Sequence, residues 1–204
     1  MVKVITVGSF RENCYLLVRD GEVAVIDPGD EGERIAEAID ATGATPKYVL
    51  ITHAHIDHVG AAQFIKDRYH IPLWLPPEEA PLLEQLRLQC ALFGLEPIDP
   101  PVVDHFVTPD FLLPLGSAKI EARLTPGHSP GGTSYLSGDE MFVGDTIFAG
   151  SVGRTDLWGG SWPVLQHAIE SQIFSLHDEV VLYPGHGPST TVGNERRQNP
   201  FFVS

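Results

Sequence analysis

The chain has 204 residues, 43% of them hydrophobic, which is enough to bury the core of one domain spanning residues 1–204. Its formal net charge of −14 argues against a nucleic acid or an anionic membrane as a partner. No apolar run reaches the length of a membrane span, and the N-terminus lacks the layout of a signal peptide. Because Cys14 and Cys90 are the only cysteines, we expect a cytoplasmic protein whose thiols are reduced and buried.

The first half of the chain alternates strand-like and helical patterns. Asp20-Gly21 predicts a hairpin turn between the second and third strands. The segment 77–93 opens with a proline and two glutamates and predicts a helix whose apolar face packs on the core. The predicted strands of this half are 2–7, 15–18, 23–26, 48–51 and 73–75, and the other predicted helices are 31–41 and 59–69.

The second half repeats this arrangement after a proline-rich loop at 96–101, with strand signals resuming at Val102. A helix is predicted near 164–176. Two groups of strands, each accompanied by helices, indicate an α/β (α+β) fold with two packed sheets and helices outside, a four-layer αββα sandwich. The predicted strands of this half are 119–124, 133–136, 141–143 and 179–183.

The stretch His53-Ala54-His55-Ile56-Asp57-His58 places three imidazoles and a carboxylate between a buried strand and a helix. Burying four polar side chains at such a junction is costly unless something pairs with them. Neutral imidazole and carboxylate are the usual nitrogen and oxygen donors to zinc, iron and manganese. The pattern therefore predicts a metal site rather than a solvated polar loop.

Three later loops each follow a strand-like run and carry one ligand-type residue among glycines or prolines. Turns built on glycine and proline let the backbone pass close to a bound ion. Each loop alone is weak support for a site, but together with 53–58 the loops form an ordered set of candidate ligands. The three residues are His128 in loop 125–132, Asp145 in loop 142–146 and His186 in loop 182–188.

These motifs, in this order from position 53 to position 186, resemble the ligand motifs of the metallo-β-lactamase superfamily, whose fold is an αββα sandwich. The resemblance covers essentially the whole chain and implies two divalent metal ions, zinc in the first place, with iron or manganese as alternatives. The implied ligands of the first ion are His53, His55 and His128; those of the second are Asp57, His58 and His186; and Asp145 bridges the two.

Within the superfamily, Gly153-Arg154-Thr155-Asp156 and the tail 187–200 resemble compact glyoxalase II-like hydrolases. This implies hydrolysis of a small-molecule thioester, such as S-lactoylglutathione, by a hydroxide bridging the metals, with Asp57 and Asp145 as catalytic residues. Full-length glyoxalase II holds glutathione with a C-terminal helical domain, whereas only 18 residues follow His186 here. The candidates to bind a substrate carboxylate in its place are Arg154, Arg196 and Arg197.

Alternatives remain open at this level. A mononuclear iron persulfide dioxygenase shares many of these motifs, and a lactonase of the same superfamily would use the same chemistry. A purely structural metal site is disfavoured, because seven candidate ligands exceed the four of a closed zinc site. Asp27 and Asp156 are candidates to hydrogen-bond ligand histidines, although Asp27 could instead cap its Pro-Gly turn. The sequence leaves the oligomeric state undetermined.

Overall fold

The computed structural model describes residues 1–108 and 110–203 and contains two six-stranded sheets. The first sheet keeps the order of the sequence; its first three strands form an antiparallel meander, and the rest are added in parallel. Its strands are β1 (Val2–Val7), β2 (Glu12–Arg19), β3 (Glu22–Ile26), β4 (Thr45–Leu50), β5 (Leu73–Leu75) and β6 (His105–Phe106).

The second sheet is a meander of four antiparallel strands, extended by a fifth strand parallel to the last of them and by a sixth strand antiparallel to the fifth. Its strands are β7 (Leu112–Leu115), β8 (Ala118–Leu124), β9 (Thr133–Ser137), β10 (Glu140–Gly144), β13 (Val181–Pro184) and β14 (Thr190–Thr191). A separate small ribbon pairs β11 (Ile147–Phe148) with β12 (Ser151–Val152). Strands β8, β10 and β13 share one direction, so their C-terminal ends lie at the same edge of the sheet.

The helices connect the parallel strands or follow them. They are α1 (Gly32–Asp40), α2 (Ile56–Val59), α3 (Ala62–Tyr69), α4 (Ala80–Glu84), α5 (Leu86–Phe93), α6 (Trp162–Ala168) and α7 (Val192–Gln198). One 3₁₀ turn precedes α4 at Pro77–Glu79, and one π-type segment, Ile169–Ile173, continues α6.

The layering of sheets and helices follows from the alternating directions of successive side chains along the strands. On β2, Cys14 and Leu16 pack in the cluster beneath α1, α3 and α5, whereas Tyr15 and Leu17 pack in the cluster between the two sheets. A third cluster joins the outer face of the second sheet to α6. Helices therefore cover the outer face of each sheet, which confirms the αββα sandwich.

The segment 77–93 is not the single helix predicted. Pro81 has no backbone N–H to donate to Pro77, and the segment breaks into the 3₁₀ turn, α4 and α5, with Gln85 between the two helices. Its apolar face packs on the core as predicted, except that Phe93 is half exposed. Strands β6, β11, β12 and β14 were not predicted, because two residues are too few to show alternation; β7 and α7 were not predicted either.

Both cysteines are buried free thiols. Over residues 1–108 and 110–203, no helix combines the length and the apolar character that crossing a membrane requires.

Candidate metal centre

Four loops meet at one edge of the sandwich, each after the C-terminal end of a strand. The loop after β4 carries the residues from His53 to His58, and the loops after β8, β10 and β13 carry His128, Asp145 and His186. Because β4 belongs to one sheet and the other three strands to the second, the site is assembled by the packing of the two sheets.

The structure brings all seven predicted ligand side chains together. His55 Nδ1 lies 3.0 Å from His128 Nε2, and the His53 ring lies 4.8 Å from each of these two rings between centroids. Beside them, Asp57 Oδ2 lies 3.2 Å from His186 Nε2. These contacts form two neighbouring sets, one of three histidines and one of Asp57, His58 and His186.

Asp145 lies between the two sets. Its Oδ1 is 3.4 Å from His58 Nε2, and its Oδ2 is 3.6 Å from His186 Nε2 and 3.7 Å from His128 Nε2. One carboxylate therefore contacts ligand nitrogens of both sets, which is the placement that a bridging ligand requires.

Several donor atoms at this centre are buried and have no hydrogen-bond partner. Among the described residues, they include His53 Nε2, His58 Nε2 and Asp145 Oδ1. Buried polar atoms are normally paired, because an unpaired one costs free energy. The donors within each set lie within 4.8 Å of one another. This donor set fits divalent metal ions.

The electrostatics favour the metal-binding protonation states of most ligands. Burial lowers the pKa of His53 well below its usual range, and burial and the neighbouring His128 lower that of His55 to about 4. Although burial opposes ionisation of Asp145, the adjacent His58 lowers the pKa of this carboxyl. Burial also opposes protonation of His58, but Asp145 and Asp57 raise its pKa well above the usual range. Its Nε2 must therefore lose a proton before it can bind an ion.

Asp27 supports the ligands from beneath, as the sequence suggested. Its Oδ2 accepts hydrogen bonds from His58 Nδ1 at 3.0 Å and from Thr52 Oγ1 at 2.6 Å, and its Oδ1 accepts from the Thr52 N–H at 2.7 Å. Since a carboxylate can only accept, Nδ1 of His58 carries a proton, and Nε2 faces the other ligands.

Asp156 does not have the role predicted for it. Its carboxylate forms two hydrogen bonds of 2.7 Å with the guanidinium of Arg154. His128 Nδ1 instead lies 2.8 Å from the backbone carbonyl of Arg154. A backbone acceptor orients this ligand, and the sequence gives no signal for such a contact.

The three arginines proposed as substrate contacts differ in position. The side chain of Arg154 is 59% exposed, and the backbone of this residue contacts His128. Arg196 and Arg197 lie on α7 and form ion pairs with Asp178, which precedes β13, whereas His186 follows that strand. Both guanidinium groups are thus engaged by Asp178, and a contact of Arg196 or Arg197 with the substrate stays a prediction.

Two buried residues of the segment 77–93 hold the ligand loops and were missed from the sequence. Glu79 accepts hydrogen bonds from Ala54 N–H at 2.8 Å and from Gly131 N–H at 2.6 Å. Gln89 accepts from Ile56 N–H at 2.9 Å. Glu79 therefore joins the loop of His53 and His55 to the loop of His128.

Replacing Glu79 with alanine is expected to weaken metal binding by the three-histidine set by about 10- to 100-fold, because two buried amides lose their shared acceptor. Glu79→Gln keeps one acceptor oxygen, so its metal affinity should lie between that of Glu79→Ala and that of the wild type. Competition with a chelator measures the effect. Glu78→Ala, at an exposed neighbouring carboxylate, is the control, and wild-type metal affinity in Glu79→Ala would contradict the prediction.

Glu12 is a further buried acid behind the ligands. Its Oε1 lies 4.0 Å from His58 Nδ1, and neither of its carboxyl oxygens has a hydrogen-bond partner among the described residues. Burial raises the pKa of Glu12 well above its usual range, which favours the neutral form of this side chain. Asp27, rather than Glu12, lies within hydrogen-bond distance of His58 Nδ1.

Comparison with known proteins agrees with this geometry. A model of the metallo-beta-lactamase superfamily matches residues 7–186. The probable metallo-hydrolase YqgX of Bacillus subtilis (strain 168) is 39% identical over 199 residues, which is 96% of this chain and 94% of that protein. The hydroxyacylglutathione hydrolase GloC of Haemophilus influenzae is 36% identical over 208 residues, which is 100% of this chain and 98% of that protein.

Solved structures give the same result. The crystal structure of BLEG-1 B3 metallo-beta-lactamase superposes with a TM-score of 0.93 at 36% identity, covering 100% of both chains. That of TTHA1623 in a di-iron-bound form superposes with a TM-score of 0.88 at 37% identity, covering 98% of this chain and 99% of that one. The chain therefore belongs to the metallo-β-lactamase superfamily, as one of its metal-dependent hydrolases.

Proposed function

We propose that this chain hydrolyses thioesters with two metal ions, in the manner of glyoxalase II. The observation that supports it most directly is Asp145, whose carboxylate contacts ligand histidines of both sets. His53, His55 and His128 would hold one ion, and Asp57, His58 and His186 the other, with Asp145 shared. The name of the GloC relative, a hydroxyacylglutathione hydrolase, supports the same substrate class.

Divalent ions held here would supply Lewis acidity, polarising the thioester carbonyl and lowering the pKa of the attacking water. Asp57 and Asp145 stay ionised at neutral pH, since His58 lowers both carboxyl pKa values although burial opposes this. The free oxygen of Asp57 would accept a hydrogen bond from the attacking water and orient it. A thiolate leaves readily, so the reaction needs no dedicated general acid.

The exposed side of the centre indicates where the substrate approaches. The side chains of His186 and Asp57 are 30% and 16% exposed, whereas that of His58 is fully buried. The carbonyl carbon would therefore be presented next to Asp57 and His186. Arg154, on the His128 side, is the candidate to bind a carboxylate of the thiol carrier.

Metal content per chain, measured together with a panel of substrates, tests the proposal. We expect two ions per chain, zinc in the first place with iron or manganese as alternatives, and hydrolysis of S-lactoylglutathione or another thioester with or without oxygen. The panel includes a lactone and, because of the likeness to BLEG-1, a β-lactam. Oxygen-dependent turnover of a persulfide with one iron per chain, or cleavage of only the lactone or the β-lactam, would overturn the proposal.

A further inference from the structure

A cavity of about 240 Å³ adjoins the metal centre. It lies between the β1–β2 turn, the loop that carries Asp57, and the C-terminal part of α5 with the loop after it. Its apolar wall consists of Val7, Phe10, Ile56, Leu95 and Ile98. Phe10 is held by an edge-to-face contact with Phe93, at 5.1 Å between ring centroids.

The charged side chains that line the cavity are all acidic, and Ser9 adds one neutral hydroxyl. Asp30, Asp57 and Glu96 line it, and none of its lining residues in the described part of the chain is a lysine or an arginine. A carboxylate placed inside would meet the negative charges of Asp30 and Glu96 with no lysine or arginine to pair with, in a space with an apolar wall. The lining therefore selects an uncharged, apolar group.

Asp57 belongs to both the cavity and the metal centre. It lines the cavity, and its Oδ2 lies 3.2 Å from His186 Nε2. A substrate whose carbonyl is presented next to Asp57 can extend one of its two substituents into this space. Glutathione carries two carboxylates and does not suit the acidic lining, so the substituent is the acyl chain.

We infer that the cavity binds the acyl chain of the substrate and that this chain is apolar and longer than a lactoyl group. The inference rests on the proposed thioesterase function and adds the acyl specificity to it. The thiol carrier then extends away from the cavity. Replacing the terminal methyl of the acyl chain with a carboxylate should lower kcat/KM.

A series of thioesters of one thiol, from acetyl to octanoyl, tests the inference in the metal-loaded protein. We expect kcat/KM to rise roughly fourfold per added methylene until the cavity is filled, because each methylene leaves water. A carboxylate-terminated acyl chain of equal length should react roughly tenfold more slowly or worse.

The variant Ile98→Trp fills the cavity and should reduce the preference for long over short acyl chains by about tenfold or more. Leu92→Trp is the matched control, because Leu92 lies on α5, is 73% exposed and does not line the cavity. The control should keep the wild-type profile, and metal content verifies that each variant is folded.

The outcomes separate the two proposals. Thioester hydrolysis that is independent of acyl length, or that responds to the length of the thiol instead, overturns the assignment of the cavity and leaves the thioesterase function standing. An unchanged length profile in Ile98→Trp overturns the assignment as well. Failure to hydrolyse any thioester of the series contradicts the proposed function and the inference together.

Discussion

Replacing Asp145 with alanine is expected to lower kcat/KM for thioester hydrolysis by roughly a thousandfold, equivalent to about 4 kcal/mol of transition-state stabilisation. The same change should reduce the metal content from two ions to one per chain. The reason is geometric, because this carboxylate contacts His58 and His186 on one side and His128 on the other. Steady-state kinetics and metal analysis measure the two effects.

Asp67→Ala is the matched control, since Asp67 is an exposed carboxylate on α3 that accepts a hydrogen bond from the side-chain amide of Gln63. It should keep both metal ions and full activity. A fully active Asp145→Ala protein with two bound ions would show that the hydrolysis does not use a carboxylate shared by two metals. An Asp145→Ala protein that loses both ions would show that the two sets are filled together.

The convergence of the seven candidate ligands could be predicted from the sequence because each of them stands in a recognisable local context. His128, Asp145 and His186 follow strand-like runs in glycine-rich or proline-rich turns, and the ends of parallel strands meet at one edge. The order of the motifs then resembles that of the metallo-β-lactamase superfamily. The two sheets were predictable for a related reason, since their strands are long enough to show alternation.

The supporting contacts could not be predicted, because they depend on how distant elements pack. Glu79 reaches Ala54 and Gly131, which are 25 and 52 positions away, and nothing in the pattern 77–93 separates it from the exposed Glu78. In the same way, nothing in the sequence indicated that Arg196 pairs with Asp178, which lies 18 positions away. Local patterns identify donors and acceptors, and tertiary packing decides which of them meet.

Asp27→Asn is expected to have the second large effect, because an amide cannot accept hydrogen bonds from all the donors that face this buried carboxylate. In either orientation of the amide, its NH₂ group points at a donor, either the His58 Nδ1–H or the Thr52 N–H. One buried N–H then loses its acceptor, which costs about 1–3 kcal/mol of the free energy of unfolding.

The same substitution should weaken metal binding by the set containing His58 by about 10- to 100-fold, since the orientation of its ring and the charge behind it both change. Chemical denaturation of the metal-free protein measures the loss of stability, and chelator competition measures the loss of affinity. Asp27 has a φ of +50°, a conformation that asparagine tolerates well, so backbone strain is not the cause.

Asp20→Asn provides the matched control for Asp27→Asn. Asp20 has a φ of +45° and an exposed carboxylate that accepts from the Ser117 N–H, a bond that an amide oxygen can replace. It should leave metal affinity and activity unchanged. Wild-type metal affinity in Asp27→Asn would show that packing alone orients the His58 ring. The Asp27 carboxylate would then be needed only to accept the hydrogen bonds of Thr52.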